Sequence, residues 1–313
     1  MIAPEAIRRA RSVLDGVAMR TPLVRLDVDA DAEVWLKLEV LQPVRSFKLR
    51  GAANAVFQTS DAELARGVVT ASAGNMAQGV AYAARLRGIP ATIVVPHGAP
   101  RAKLDAVERY GGRVIEVPYD EWWDVMTTGR YAPVDGLFVH PVWDEPVQAG
   151  NGTIGLELLE QSPDFDTVVV PYGGGGLVTG IASALKTERP QVRVVTAEPE
   201  TGAPAAAALA GRPATVDFRP SFVDGAGSRE VIPRVWAGAA QLLDGGEAVP
   251  LDDVAAAIRL LAERTRVIAE GAGALAVAAA LSGRVPGRKI VCIVSGGNID
   301  TAVLGRILAG ETP

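Results

Sequence analysis

Cysteine is almost missing from this chain of 313 residues: Cys292 is the single one, so no internal disulfide can form. That suits a reducing compartment, and the cytoplasm is the expected location. Cys292 lies between Ile290-Val291 and Ile293-Val294, which marks it as a core residue rather than a reactive thiol. Histidine is nearly as scarce. His97 and His140 are far apart and lack metal-ligand spacing, so no metal site is expected from them. No basic run occurs and the formal net charge is −5, which excludes nucleic acid as an expected partner. Long apolar runs are lacking too. The longest candidate, Ala272 to Leu281, is about half the roughly 20 residues that a membrane helix requires. The first residues lack the basic-then-apolar order of a secretory signal. No serine stands in G-x-S-x-G, so a hydrolase nucleophile elbow is excluded, and no cysteine–histidine signature appears.

What is present is a dense alternation of short apolar runs and helical stretches. Hydrophobic residues make up 49% and charged residues 21%, the balance of a globular chain long enough for two domains or one large one. Met1 to Gly16 reads as a helix and Val34 to Glu39 as a half-buried strand. Gly67–Ala71, Ala91–Val95 and Arg113–Val117 read as strands, separated by helices over Met76–Leu86 and Lys103–Tyr110. Val168–Val170, Arg193–Ala197 and Lys289–Val294 repeat the pattern. This spacing indicates βαβ units, parallel sheets covered on both faces, and two α/β bodies without a clear linker.

Three small-residue loops follow predicted strands, where open α/β sheets place their ligands. They are Ser72-Ala73-Gly74-Asn75-Met76, Gly173-Gly174-Gly175-Gly176-Leu177 and Ser295-Gly296-Gly297-Asn298. Four successive glycines before a helix expose backbone N–H groups in a form that suits a phosphate. No Gly-Lys-Ser/Thr follows, and the third glycine of G-x-G-x-x-G is absent, so neither a Walker loop nor a dinucleotide fingerprint is met. Ser72 and Asn75 also have a simpler reading, as caps of the helix that begins near Met76. Lys48 precedes the small-residue run Gly51-Ala52-Ala53-Asn54-Ala55 and stands between Arg45 and Arg50. An amine that is desolvated or near other cations loses its proton more readily and becomes a nucleophile. An amine nucleophile and an anion cradle together are what a phosphate-bearing aldehyde cofactor needs.

In these motifs and their order the chain resembles the fold-type II pyridoxal-phosphate enzymes, in the threonine/serine dehydratase branch that also contains serine racemases. The resemblance runs from Leu41 to Asp300. It implies a tryptophan-synthase-β-like α/β fold, with residues 1–62 plus 142–313 as a large cofactor-binding domain and 63–141 as a small mobile one. The cofactor, pyridoxal 5'-phosphate, is expected between them. By this resemblance Lys48 in Ser46-Phe47-Lys48-Leu49-Arg50-Gly51 is the Schiff-base lysine and Phe47 packs on the cofactor ring. Ser72, Ala73, Gly74, Asn75 and Met76 correspond to the substrate loop, with Ser72 catalytic and Asn75 bonded to the cofactor's phenolic oxygen. Gly173, Gly174, Gly175, Gly176 and Leu177 correspond to the phosphate loop, Glu270 to a glutamate near the cofactor, and Ser295 to the residue facing the pyridine nitrogen. A hydroxyl there does not stabilise a protonated ring, which favours β-elimination over transamination.

The implied reaction is dehydration and deamination of a β-hydroxy amino acid such as L-threonine or L-serine to a 2-oxo acid and ammonia, by a homodimer. The alternatives are β-replacement through an aminoacrylate and amino-acid racemisation. Racemases of the group commonly carry a second serine where this chain has Ala73, which disfavours racemisation. The family usually has histidine where Met76 stands, and this leaves the substrate open. Its divalent-cation site usually pairs an acid like Glu198 with another about six residues later, here Pro204, so the site is expected to be lost or altered. The end at Pro313 leaves no C-terminal regulatory domain expected. Trp122, Trp123 and Trp143 are candidates for a wider substrate mouth, against a default of core packing.

Overall fold

A computed structural model describes residues 1–99, 101–162 and 164–313, the side chain of Ala102 excepted. Among these residues the strands are β1 Leu23–Arg25, β2 Glu33–Lys37, β3 Val68–Ala71, β4 Ala91–Pro96, β5 Gly112–Val117, β6 Leu137–Phe138, β7 Thr167–Pro171, β8 Arg193–Pro199, β9 Gly245–Val249 and β10 Lys289–Ile293. They form two sheets, one of order β1-β2-β10-β7-β8-β9 and one of order β5-β4-β3-β6. The four-stranded sheet is parallel throughout, and in the six-stranded sheet only β1, paired to β2, runs antiparallel. The α/β class follows from the alternation. The antiparallel edge does not, because Leu-Val-Arg is too short to show a period.

β3 and β7 are buried along their whole length. Strands covered on both faces read as continuous apolar runs, and this is why Val-Val-Thr-Ala and Thr-Val-Val-Val are so uniform. The helix α1 Gly271–Leu281, the apolar run too short for a membrane, is buried throughout except at its last residue and packs with β2, β8 and β10 residues in the largest apolar cluster. Cys292 is in the same cluster, its Sγ 3.3 Å from the Ala276 carbonyl. No helix among the described residues is long and apolar enough to cross a membrane.

Three helices meet where the sheets approach. α2 Lys48–Phe57 lies between α3 Asn75–Arg87, which follows β3, and α4 Glu145–Gln161, which leads into β7. Glycine makes this close approach possible. A Cβ at Gly51 would stand 2.7 Å from Val147 Cγ1, and one at Gly79 only 3.1 Å from the Lys48 carbonyl oxygen. Backbone therefore rests almost on backbone on both sides of α2.

Candidate active site

The loops after β3, β7 and β10 converge with the start of α2 on one cavity of about 480 Å³ between the sheets. Phe47, Lys48, Ser72, Ala73, Gly74, Asn75, Met76, Gly173, Gly174, Gly175, Gly176, Leu177, Glu270 and Ser295 all line it. The structure thus brings together all the cofactor-binding and substrate-loop residues that the resemblance implied.

Lys48 is the first residue of its helix, and the turn before it is stitched to the loop after β10. Phe47 N–H donates to the Ser295 carbonyl at 2.9 Å, Gly297 N–H donates to the Arg45 carbonyl at 2.9 Å, and Ser46 bridges Gly296. Arg45 adopts φ +59°, a left-handed conformation that side chains rarely take, where the chain turns into this stitch. Lys48 Nζ donates to the Pro141 carbonyl at 2.9 Å and lies 5.2 Å from the centre of the Phe47 ring. Burial lowers its pKa to about 8, opposed by the negative charge of Glu270. The cationic neighbours expected from the sequence are not the cause. Arg50 is buried away from Nζ, gripped by Glu39 and Glu157, and Arg45 is exposed.

Ser72 and Asn75 do not cap their helix. The N-cap is Gly74, without a side-chain bond, while Ser72 Oγ accepts from Gly74 N–H at 3.2 Å. Asn75 instead joins a closed ring of side chains. Its Nδ2 donates to Glu270 Oε1 at 2.7 Å, its Oδ1 accepts from Asn298 Nδ2 at 2.7 Å, and Asn298 N–H donates to Glu270 Oε2 at 3.1 Å. An amide nitrogen carries two hydrogens, so one remains for a ligand. Glu270 is buried, and burial with the charge of Asp224 raises its pKa to about 7. Asn298 was legible as a loop residue but not as the brace of Asn75, since the two lie 223 positions apart.

The tetraglycine loop leads into α5 Gly176–Glu188. Among the described residues the N–H groups of Gly173 to Gly176 make no turn or loop bond. A Cβ at Gly174 would stand 2.7 Å from the Val142 side chain and one at Gly176 2.5 Å from the Val142 carbonyl oxygen, and Gly175 has φ +90°. Only glycine fits this cradle, whose free N–H groups at a helix N-terminus suit a phosphate. Trp122 and Tyr119 line the cavity, whereas Trp123 is half exposed beyond it and Trp143 stacks on His140. Glu198 is buried and its oxygens accept from Ala205 and Ala206 N–H at 3.3 and 2.7 Å, at the start of α6 Pro204–Leu209.

Residues 14–296 match the family model described as pyridoxal-phosphate dependent enzyme. The chain belongs to that family. Among relatives of this pyridoxal-phosphate enzyme, an L-threonine ammonia-lyase of Thermotoga maritima is 41% identical over 315 residues, covering 98% of this chain and 78% of its own. A serine racemase of Oryza sativa is 36% identical over 318 residues, covering 96% and 91%. The solved structure of maize serine racemase superposes with a TM-score of 0.90 at 33% identity, covering 99% and 97%. The fold-type II architecture and dependence on pyridoxal phosphate follow from these findings. The free amine, the glycine cradle and the buried Ser295 hydroxyl are a donor set that fits the cofactor's aldehyde, phosphate and ring nitrogen.

Proposed function

We propose that this pyridoxal-phosphate-dependent lyase dehydrates and deaminates a β-hydroxy amino acid, L-threonine or L-serine, to a 2-oxo acid and ammonia. The observation that carries the reading is the state of Lys48: a half-buried amine with a lowered pKa in the cavity, bonded to a carbonyl rather than to a carboxylate. Lysine in that state can act first as nucleophile and then as base. Bound pyridoxal phosphate supplies the electron sink that makes the substrate's α-hydrogen acidic. Lys48 Nζ takes that proton on one face. Ala73, in the substrate loop, offers no acid for return of a proton to the other face, so loss of the β-hydroxyl prevails over racemisation. The loop from Ser72 to Asn75, in which the Ala73 and Asn75 N–H groups make no turn or loop bond among the described residues, holds the substrate carboxylate. Glu270 and Asn298 keep the Asn75 amide aimed at the cofactor's phenolic oxygen, Ser295 faces the ring nitrogen as a neutral partner, and Phe47 supports the ring. Gly173 to Gly176 and Leu177 hold the phosphate.

The four-stranded body, residues 63–141, closes on the body formed by 1–62 and 142–313 to exclude water. The working form is a cytoplasmic homodimer. Purified protein is expected to show the visible absorbance of the lysine-bound cofactor, erased by borohydride and missing from Lys48→Ala. A screen of amino acids for 2-oxo acid release then identifies the substrate. Product that forms only with an added thiol or amine nucleophile would replace dehydration by β-replacement, and inversion without 2-oxo acid would replace it by racemisation.

A further inference from the structure

His140 takes no part in the chemistry above, yet it sits where the chain leaves β6 for α4 and is 1% exposed. Its Nδ1 accepts from Val142 N–H at 3.1 Å and Trp143 N–H at 3.2 Å. Its Nε2 lies 3.2 Å from the Met126 carbonyl oxygen, on α7 Tyr119–Thr128 of the four-stranded body. A carbonyl only accepts, so the ring hydrogen must be on Nε2 and the imidazole is neutral. Burial holds it neutral by lowering its pKa to about 3, an effect that the charges of Lys48 and Arg234 reinforce. The Trp143 ring stacks on it with centroids 3.4 Å apart. Between the residues that His140 ties lie two contacts of the active site. The Pro141 carbonyl receives Lys48 Nζ, and Val142 backs Gly174 and Gly176 of the cradle.

We propose that His140 is a positioning residue for the Lys48 amine: its two ring nitrogens tie the 141–143 loop to α7, so that the Pro141 carbonyl faces Nζ and Val142 closes behind the glycine cradle. This rests on Lys48 being the amine that bonds the cofactor. Nδ1 does the larger part, since it satisfies two otherwise orphaned N–H groups. Without it the loop relaxes, and water reaching Nζ lifts the desolvation that lowers its pKa.

The test is cofactor attachment, not turnover. Full-length protein freed of cofactor is mixed with pyridoxal phosphate, and the growth of visible absorbance is followed against pH. In the parent protein the rate is expected to rise through pH of about 8 to a plateau. His140→Leu lowers the plateau about tenfold to a hundredfold and moves the midpoint up toward the ordinary lysine value. His140→Asn keeps an acceptor where Nδ1 stands and stays within about threefold of the parent. His140→Gln reaches toward Met126 but offers the loop no acceptor, and it behaves as leucine does. Thermal melting reports folding separately, and if the leucine variant does not fold, the asparagine–glutamine contrast decides. A folded leucine or glutamine variant with the parent's plateau and midpoint overturns the proposal, as does an asparagine variant as slow as glutamine. Parent and Lys48→Ala developing absorbance alike would instead overturn the assignment of Lys48.

Discussion

Two lysines eleven positions apart are both enclosed by this fold, and their bonding partners are opposite in kind. Lys37, at the end of β2, has a fully buried side chain bonded to Glu157, to the Thr21 carbonyl at 2.7 Å and to Gln161 Oε1 at 2.8 Å. Glu157 and Glu39 also grip Arg50, so two cations and two carboxylates form one buried network. Burial lowers the pKa of both lysines. At Lys37 the carboxylates pull the other way and hold the ammonium in a structural role. At Lys48 a single carbonyl is the partner, and the amine can lose its proton. Burial lowers the pKa at both places; the difference is that only at Lys37 does a contacting carboxylate hold the charge.

The sharpest break in this comparison is to remove each amine in turn. Lys48→Ala is expected to cut 2-oxo acid formation by at least about a thousandfold while the protein still folds. Lys37→Met is expected to do the reverse: turnover per folded molecule survives, and urea unfolding shows a loss of about 3 kcal/mol, because Glu157 keeps a buried charge with one partner fewer. If Lys37→Met unfolds at the parent's midpoint, the buried network is not structural.

Glu270 sharpens the comparison from the acid side. Its folded pKa of about 7 lies above the unfolded value of 4.5, so the folded protein binds the extra proton between them. Its contribution is therefore fully present below pH 4.5 and is lost as pH rises through about 7. Glu270→Gln removes that loss, and the cofactor-free variant should gain up to about 3 kcal/mol over the parent at pH 8 and little at pH 4.5. A gain independent of pH would show that the carboxyl does not titrate in this window. The smallest effect belongs to the opposite face of the substrate. Ala73→Ser is expected to raise racemisation of serine by about tenfold or less, read by chiral chromatography, and no gain would remove the single-face argument.

Much of the site was legible because its parts are local. A strand, a small-residue loop and a helix start within a few positions, so the loops at Ser72, Gly173 and Ser295 could be placed on the sheet ends before the fold was known. What depends on distant pairing was not. Arg50 looked like company for Lys48, and nothing nearby in sequence betrays Glu157, 107 positions away. Ser72 and Asn75 have the residue types of caps, but Asn75 is claimed by Glu270, 195 positions on. The edge strand β9, Gly-Gly-Glu-Ala-Val, carries no apolar run and is recruited by its neighbour β8. Met76 shows the same limit in another form: it lines the cavity and is also packed in the core around α2 and α3, and its identity alone does not reveal which role selected it.

The glycine-lined bed of α2 has a mechanical consequence. The helix that begins with Lys48 rests on α3 from one sheet body and on α4, which runs into the other, with almost no side chain between the backbones. If the 63–141 body closes as proposed, α3 would turn against α2, at whose first residue Lys48 stands. A bulky residue at Gly51 or Gly79 would then wedge α2 away from its neighbours without touching the cavity.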